Sequence, residues 1–206
     1  MASLAVTRVM RECREVANAT DITEAGIHVI LTDNNIRNIQ GFIKGPADSP
    51  YADGIFEVVI AIPDQYPFAP PKVRFVSRIW HPNISSQTGV ICLDILKDKW
   101  AASLTIRTVL LSIQAMMCSP EASDPQDAVV ARQYITNFDM FKATAKYWAA
   151  YFAQSKKDVD QIYREKVFLL KEMGINEVPI ESRNYESVIW VPDGCSCHAQ
   201  LQRLET

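Results

Sequence analysis

No apolar run in this chain of 206 residues approaches the ~20 residues that a helix needs to cross a bilayer. The opening stretch MASLAVTRVMRECREV carries Arg8, Arg11 and Arg14 inside its first apolar segment, so the uninterrupted apolar core of a signal peptide is missing too. So is an excess of charge of one sign. With 21 basic and 24 acidic side chains the formal charge is −3, which argues against a nucleic-acid partner. Cysteine is sparse and irregular: five residues, at 13, 92, 118, 195 and 197, give an odd count and no disulfide framework. Free thiols in a reducing compartment are the expectation, and with them a cytoplasmic or nuclear location. No internal repeat or low-complexity tract is present.

What remains is a chain with 48% hydrophobic residues, enough to bury a core, and a length that suits one domain of ~150 residues with an appendage of ~50. Residues 3–17 place Val6, Val9, Met10, Cys13 and Val16 at helical spacing after Ser3 as N-cap, which predicts an amphipathic helix with Arg8, Arg11, Glu12 and Glu15 in solvent. From Gly26 to Val76 the period changes to alternation. Strands are predicted at 27–31, 36–43, 55–62 and 73–76, with turns at Asp33-Asn34-Asn35, Gly45-Pro46 and Asp53-Gly54. Connections this short require antiparallel pairing, so the prediction is a four-stranded meander. Residues 104–118, 127–134 and 139–152 read as helices, the first buried nearly all round and stopped by Ser119-Pro120. Residues 154–160 suit a linker, and 161–173 return to helical spacing.

Between strands and helices lies a segment, 77–103, with prolines and two tryptophans but no sustained period; so long an irregular stretch inside a compact domain is usually functional. It holds His81-Pro82-Asn83 and, after eight intervening residues, Cys92-Leu93-Asp94. Cys92 is either the small buried hydrophobe that free cysteines usually are or the acceptor in an acyl transfer. Asn83 is either a plain turn asparagine or an uncharged N–H donor for an oxyanion beside that thiol. His81 invites the role of general base, yet the following proline confines it to an extended or turn conformation, and pinning the turn is the better reading. Cys13 and Cys118 sit on apolar helical faces, so both are expected in the core.

Three segments, taken together and in order, resemble the ubiquitin-conjugating enzyme family: Tyr66-Pro67-Phe68-Ala69-Pro70-Pro71-Lys72-Val73, His81-Pro82-Asn83, and Gly89-Val90-Ile91-Cys92-Leu93-Asp94-Ile95-Leu96 with Trp100. The likeness covers residues 4–152, and IWHPNISS, ICLDILKD, WAA and SDPQDAVVA resemble the subgroup that carries a C-terminal ubiquitin-associated domain. It implies an α+β fold of N-terminal helix, four-stranded antiparallel meander, irregular active-site segment and C-terminal helices. A catalytic domain would occupy residues 1–153 and a divergent, helical ubiquitin-associated-like region or tail residues 161–206. The resemblance makes Cys92 the thioester cysteine and Asn83 a stabiliser of the transition state or of the active-site loop. It makes His81 and Pro82 structural members of the turn, and Asp124 an acidic residue at the mouth of the site.

The same resemblance implies ubiquitin, an activating enzyme, a ubiquitin ligase and protein substrates as partners, with neither metal nor cofactor. Arg8, Arg11, Phe68, Ala101 and Ala102 fall where the family meets its partners, although many members have serine and proline where this chain has the two alanines. Phe68 is either an exposed anchor or a packed loop aromatic. Met173, Gly174 and Ile175 resemble the ubiquitin-contacting loop of the appended domain, but Pro179 and Pro192 interrupt its later helices. The alternative is a helix packed on the catalytic domain and a tail. Cys195-Ser196-Cys197-His198 has three clustered ligands at the wrong spacing for structural zinc. A non-catalytic adaptor with this fold, a carrier of another modifier and a cysteine protease are the rival functions; no histidine besides His81 lies near Cys92 in sequence, which counts against the last.

Overall fold

Helix α1 (Leu4–Asn18) turns Val9, Cys13 and Val16 inward. The computed structural model describes residues 4–31, 36–52 and 54–153, within a unit spanning Met1–Ile162. The sequence readings that fall on Ser3, on the turn at 33–35 and on everything past 153 lie outside the described residues. Two expectations for α1 fail, for Arg8, whose side chain is 24% exposed, and for Glu12. Glu12 is 1% exposed rather than solvated. It lies three residues after Val9 and four before Val16, so helical spacing puts it on the inward stripe despite its charge. Burial is tolerated because its carboxylate accepts hydrogen bonds from Arg8 Nε (2.7 Å), Tyr66 Oη (2.6 Å) and the Ile106 backbone N–H (2.9 Å).

A short helix α2 (Thr20–Glu24), which the sequence reading missed, leads into strand β1 (Ile27–Leu31). Strands β2 (Asn38–Lys44), β3 (Ile55–Ala61) and β4 (Lys72–Phe75) follow, and the four pair antiparallel in chain order. This is the predicted meander. The register sets Ile39 opposite Ile60 and Ile43 opposite Phe56, all on the covered face. The other face leaves Ile30 and Ile55 exposed.

Helix α3 (Ile106–Cys118) runs over the covered face with Ile106, Val109, Leu110, Ile113, Met116 and Met117 buried. Thr105 caps it, accepting from the Thr108 N–H at 3.3 Å. A side chain at Gly41 would meet Val58 Cγ2 at 2.8 Å and Leu110 Cδ2 at 3.4 Å, so glycine there permits the close approach of helix and sheet. Cys118, expected in the core, is exposed: it is the last residue of α3, where the helix leaves the packed region. Cys13 is buried, as expected. Helices α4 (Ala128–Thr136) and α5 (Phe138–Phe152) complete the unit, capped by Asp127 and Asn137.

Candidate active site

Between β4 and α3 the chain forms no sheet, only isolated bridges and a single 3-10 turn at Asp94–Leu96. Its hydrogen bonds nevertheless fix it. Cys92 N–H donates to Asn83 O (2.8 Å), Ser85 N–H to Val90 O (2.9 Å) and Gly89 N–H to Ser85 O (2.9 Å), so residues 83–92 are a hairpin with Asn83 and Cys92 side by side at its foot. The hairpin leans on β4 through the Phe75 N–H, which donates to Gly89 O at 2.9 Å. Gly89 has φ +73°, and a Cβ there would sit 2.0 Å from Phe75 O, so no other residue fits the turn.

His81 is buried beneath this hairpin. Its Nε2 donates to Met116 O (3.0 Å) and its Nδ1 accepts from the Asn83 N–H (3.0 Å), which fixes one neutral tautomer. Burial pushes its pKa down to about 4, against the smaller opposing effect of the Met116 carbonyl. With both ring nitrogens engaged below the surface, His81 ties the hairpin to the end of α3 and has no free nitrogen to act as a base.

Asn83 is 2% exposed. Its Oδ1 accepts from the Glu121 N–H (2.8 Å), and Nδ2 donates to Glu121 O (2.8 Å) and Asp124 O (3.1 Å). Both amide protons are therefore committed to the 121–124 loop. Of the two roles implied for Asn83, this arrangement serves the holding of the loop; an oxyanion would have to compete with a backbone carbonyl for the amide proton. Pro82 continues the clamp, its carbonyl accepting from the N–H groups of Gln126 and Asp127, each at 2.9 Å. Asp127 in turn caps α4 and accepts from Ser86 N–H (3.1 Å) and Oγ (2.7 Å).

Onto this frame the structure places a half-exposed Cys92 thiol. Lys97 Nζ stands 3.2 Å from its Sγ and Asp124 Oδ2 3.8 Å from it. The sulfur raises the Lys97 pKa, so the amine stays protonated beside the thiol. The sequence reading missed Lys97. The 3-10 turn, which folds residue 97 back over residue 92, is the feature that would have pointed to it, and the ICLDILKD segment shows no period that announces a turn. It also missed Glu121, which acts through its backbone and leaves no trace in residue type.

Of the expected partner residues, Phe68 is 87% exposed and Arg11 and Ala101 are exposed, while Ala102 is half-buried. Arg8 differs. Its Nη2 donates to Ala102 O (2.7 Å) and Leu104 O (3.1 Å), and its guanidinium lies 5.7 Å from the Tyr66 ring centroid, so it braces the loop from beneath. Met173, Gly174, Ile175 and the Cys195–His198 cluster lie outside the described residues. Among the described residues no group of three or more His, Cys, Asp or Glu side chains could hold a metal ion, and no helix is long and apolar enough to cross a membrane.

A thiol with a cation and a carboxylate at its side, and among the described residues no imidazole free to serve it, suits a carrier that exchanges acyl groups better than a hydrolase. Comparison with known proteins places it within a family. Residues 8–149 match the model of the ubiquitin-conjugating enzymes, and the chain belongs to that family of transferases. It is 68% identical over 177 residues to the Caenorhabditis elegans protein named ubiquitin-conjugating enzyme E2 21, covering 86% of this chain and 83% of the relative. It is 48% identical over 190 residues to human ubiquitin-conjugating enzyme E2 K, covering 90% and 94% of the two chains. Among solved structures, the E2 domain of a Toxoplasma gondii ubiquitin-conjugating enzyme superposes with a TM-score of 0.66 at 48% identity, covering 71% of this chain and 98% of that one.

Proposed function

We propose that this chain receives ubiquitin as a thioester on Cys92 and passes it to a lysine amine. One observation carries the assignment to Cys92: its half-exposed thiol lies between the Lys97 ammonium (3.2 Å) and the Asp124 carboxylate (3.8 Å) on a hairpin that hydrogen bonds hold from both sides. In the first step Cys92 Sγ attacks the thioester carbonyl on the activating enzyme, and that enzyme's cysteine leaves as a thiolate. In the second a neutral lysine nitrogen attacks the Cys92 thioester, the C–S bond breaks, and Cys92 departs as a thiolate beside the Lys97 cation. The amine gives up a proton, for which Asp124 is the nearby acceptor. The charge of Asp124 by itself raises the incoming lysine's pKa, so the carboxylate acts through orientation and proton acceptance, aided by partial desolvation of the amine.

Asn83 and His81 are positioning residues in this scheme, holding the 121–124 loop and the hairpin in register. Arg11, Phe68, Ala101 and Ala102 form the surface offered to the activating enzyme and to a ligase, with Phe68 as its apolar anchor. Met173, Gly174 and Ile175 are proposed as a second contact with ubiquitin, on their resemblance alone.

Incubation of the full chain with activating enzyme, ubiquitin and ATP, followed by non-reducing electrophoresis, tests the central claim. A thiol-sensitive adduct is expected for the native chain, none for Cys92→Ala and a thiol-resistant one for Cys92→Ser. An adduct that survives in Cys92→Ala would place the chemistry on another cysteine. In the second step Asp124→Asn should slow discharge to saturating lysine at neutral pH; an unchanged rate would remove Asp124 from the reaction.

A further inference from the structure

The far end of the Cys92 hairpin borders a recess that the reaction scheme leaves unused. It has a volume of about 120 Å³, and Arg74 and Arg78 line it together with Ser77, Ser85, Thr88 and Gly89. Its walls present donors. Among the described residues neither arginine has a carboxylate within ion-pair distance, although the chain as a whole carries a formal charge of −3. The Arg78 guanidinium rests 5.7 Å from the Phe152 ring centroid, a contact that holds the group while leaving its N–H donors unspent.

The hydroxyls are set the same way. Ser77 Oγ accepts from the Glu57 N–H (2.9 Å), Ser85 Oγ from the Thr88 N–H (3.2 Å) and Thr88 Oγ1 from the Val90 N–H (3.5 Å). Each oxygen is thus occupied as an acceptor, and each retains its own O–H to donate. Two acids lie nearby: Asp127, whose Oδ2 already accepts from Ser86 and whose Oδ1 caps α4, and Glu57, whose Oε1 accepts from Gln40 Nε2 (3.2 Å). The rim is held as well: Gly89 O accepts from the Phe75 N–H (2.9 Å) and the Gly89 N–H donates to Ser85 O (2.9 Å).

We propose that this recess binds an anionic side chain, phosphate or carboxylate, of the acceptor protein and thereby selects which lysines reach Cys92. Paired guanidinium and hydroxyl donors match the planar or tetrahedral oxygens of such groups. Gly89 is three residues from Cys92, roughly 10 Å along an extended strand, so the anion would sit about three residues from the modified lysine. The inference rests on the assignment of Cys92 as the carrier cysteine.

Two measurements on the full chain separate the inference from that assignment. The first is fluorescence anisotropy with the uncharged protein and dodecapeptides that hold one lysine with serine, phosphoserine or glutamate three residues to either side. The second is single-turnover discharge of the ubiquitin thioester to the same peptides. Tighter binding and a KM lower by roughly tenfold are expected for the phosphoserine or glutamate peptide than for serine, and the gain should shrink as salt rises. Whichever anion is favoured identifies its source. The double variant Arg74→Ala/Arg78→Ala should erase the preference while discharge to free lysine stays at the native rate. Equal affinity for all three peptides, or a preference that persists in the double variant, overturns the proposal. A native chain that never forms the thioester would instead overturn the assignment of Cys92, and anisotropy would still decide the recess.

Discussion

Acid should loosen this fold through His81 before it touches most other contacts. In the folded chain the imidazole is buried with Nδ1 accepting from the Asn83 N–H, and its pKa falls to about 4. In the unfolded chain the value returns to about 6.5. Between those values the unfolded state binds the proton and the folded state does not, so stability rises with pH across that window. The contribution is fully present above pH 6.5 and is lost as pH falls toward 4. At pH 5 the linkage amounts to about 2 kcal/mol, since the unfolded imidazole is almost wholly protonated there and the folded one about a tenth so. A domain of this size has ~5–15 kcal/mol in total, so the loss is large enough to measure. Urea unfolding at pH 7.5 and 5.0 reads it, with His81→Gln as the reference in which this part of the pH slope should vanish. Proton NMR of the three histidines reads the cause directly: the His81 Cε1–H resonance should stay flat from pH 8 to 5. A His81 resonance that titrates near 6.5, or a pH slope unchanged in His81→Gln, would refute the reasoning.

Three further predictions follow from contacts in the same unit. Glu12→Ala removes the shared acceptor of Arg8, Tyr66 and the Ile106 N–H, and the cost should be about 3 kcal/mol, read as a lowered urea midpoint. Glu12→Gln should recover part of this, because one oxygen can still serve Tyr66 and Ile106; equal loss in both variants would show that the charge on Glu12 is the whole effect. Lys97→Ala takes the cation from beside the Cys92 sulfur, so discharge to lysine should slow several-fold and lose part of its dependence on salt, whereas Lys97→Arg should keep most of the rate. Cys13 is buried and burial pushes its thiol up to about 11, so peptide mapping after iodoacetamide at pH 7.5 should show Cys92 and Cys118 labelled well before it.

Legibility differed along the chain for physical reasons. Alternation through Phe56, Val58 and Ile60 reports a sheet with one face covered, so the meander could be read from period, although in edge strand β1 only Ile27 of the alternating set is buried and Leu31 is exposed. Thr20–Glu24 is too short to show a helical period, and α2 escaped. Glu12 was misread because residue type was weighed above spacing: the stripe Val9–Glu12–Val16 faces inward whatever its middle member is. At the site, the side chains of Asn83, Cys92 and Asp124 were visible as types. What joins them is backbone, from Met116 O through Pro82 O to the Glu121 and Asp124 carbonyls, and a carbonyl is the same at every residue.

The division of labour in the site then has a simple logic. The frame around Cys92 is fixed: His81 by the end of α3, Asn83 by three bonds to the 121–124 loop, and the hairpin by Gly89 against β4. The thiol itself has a lysine and an aspartate beside it, and among the described residues no imidazole with a free nitrogen. In the proposed reaction the thioester arrives already activated, so the chemistry asks less for a strong nucleophile than for a carbonyl held still while a lysine approaches. The braced hairpin under Cys92 supplies that, and the three bonds of the Asn83 amide, which a shorter or purely apolar side chain could not make, explain why an asparagine stands at this position.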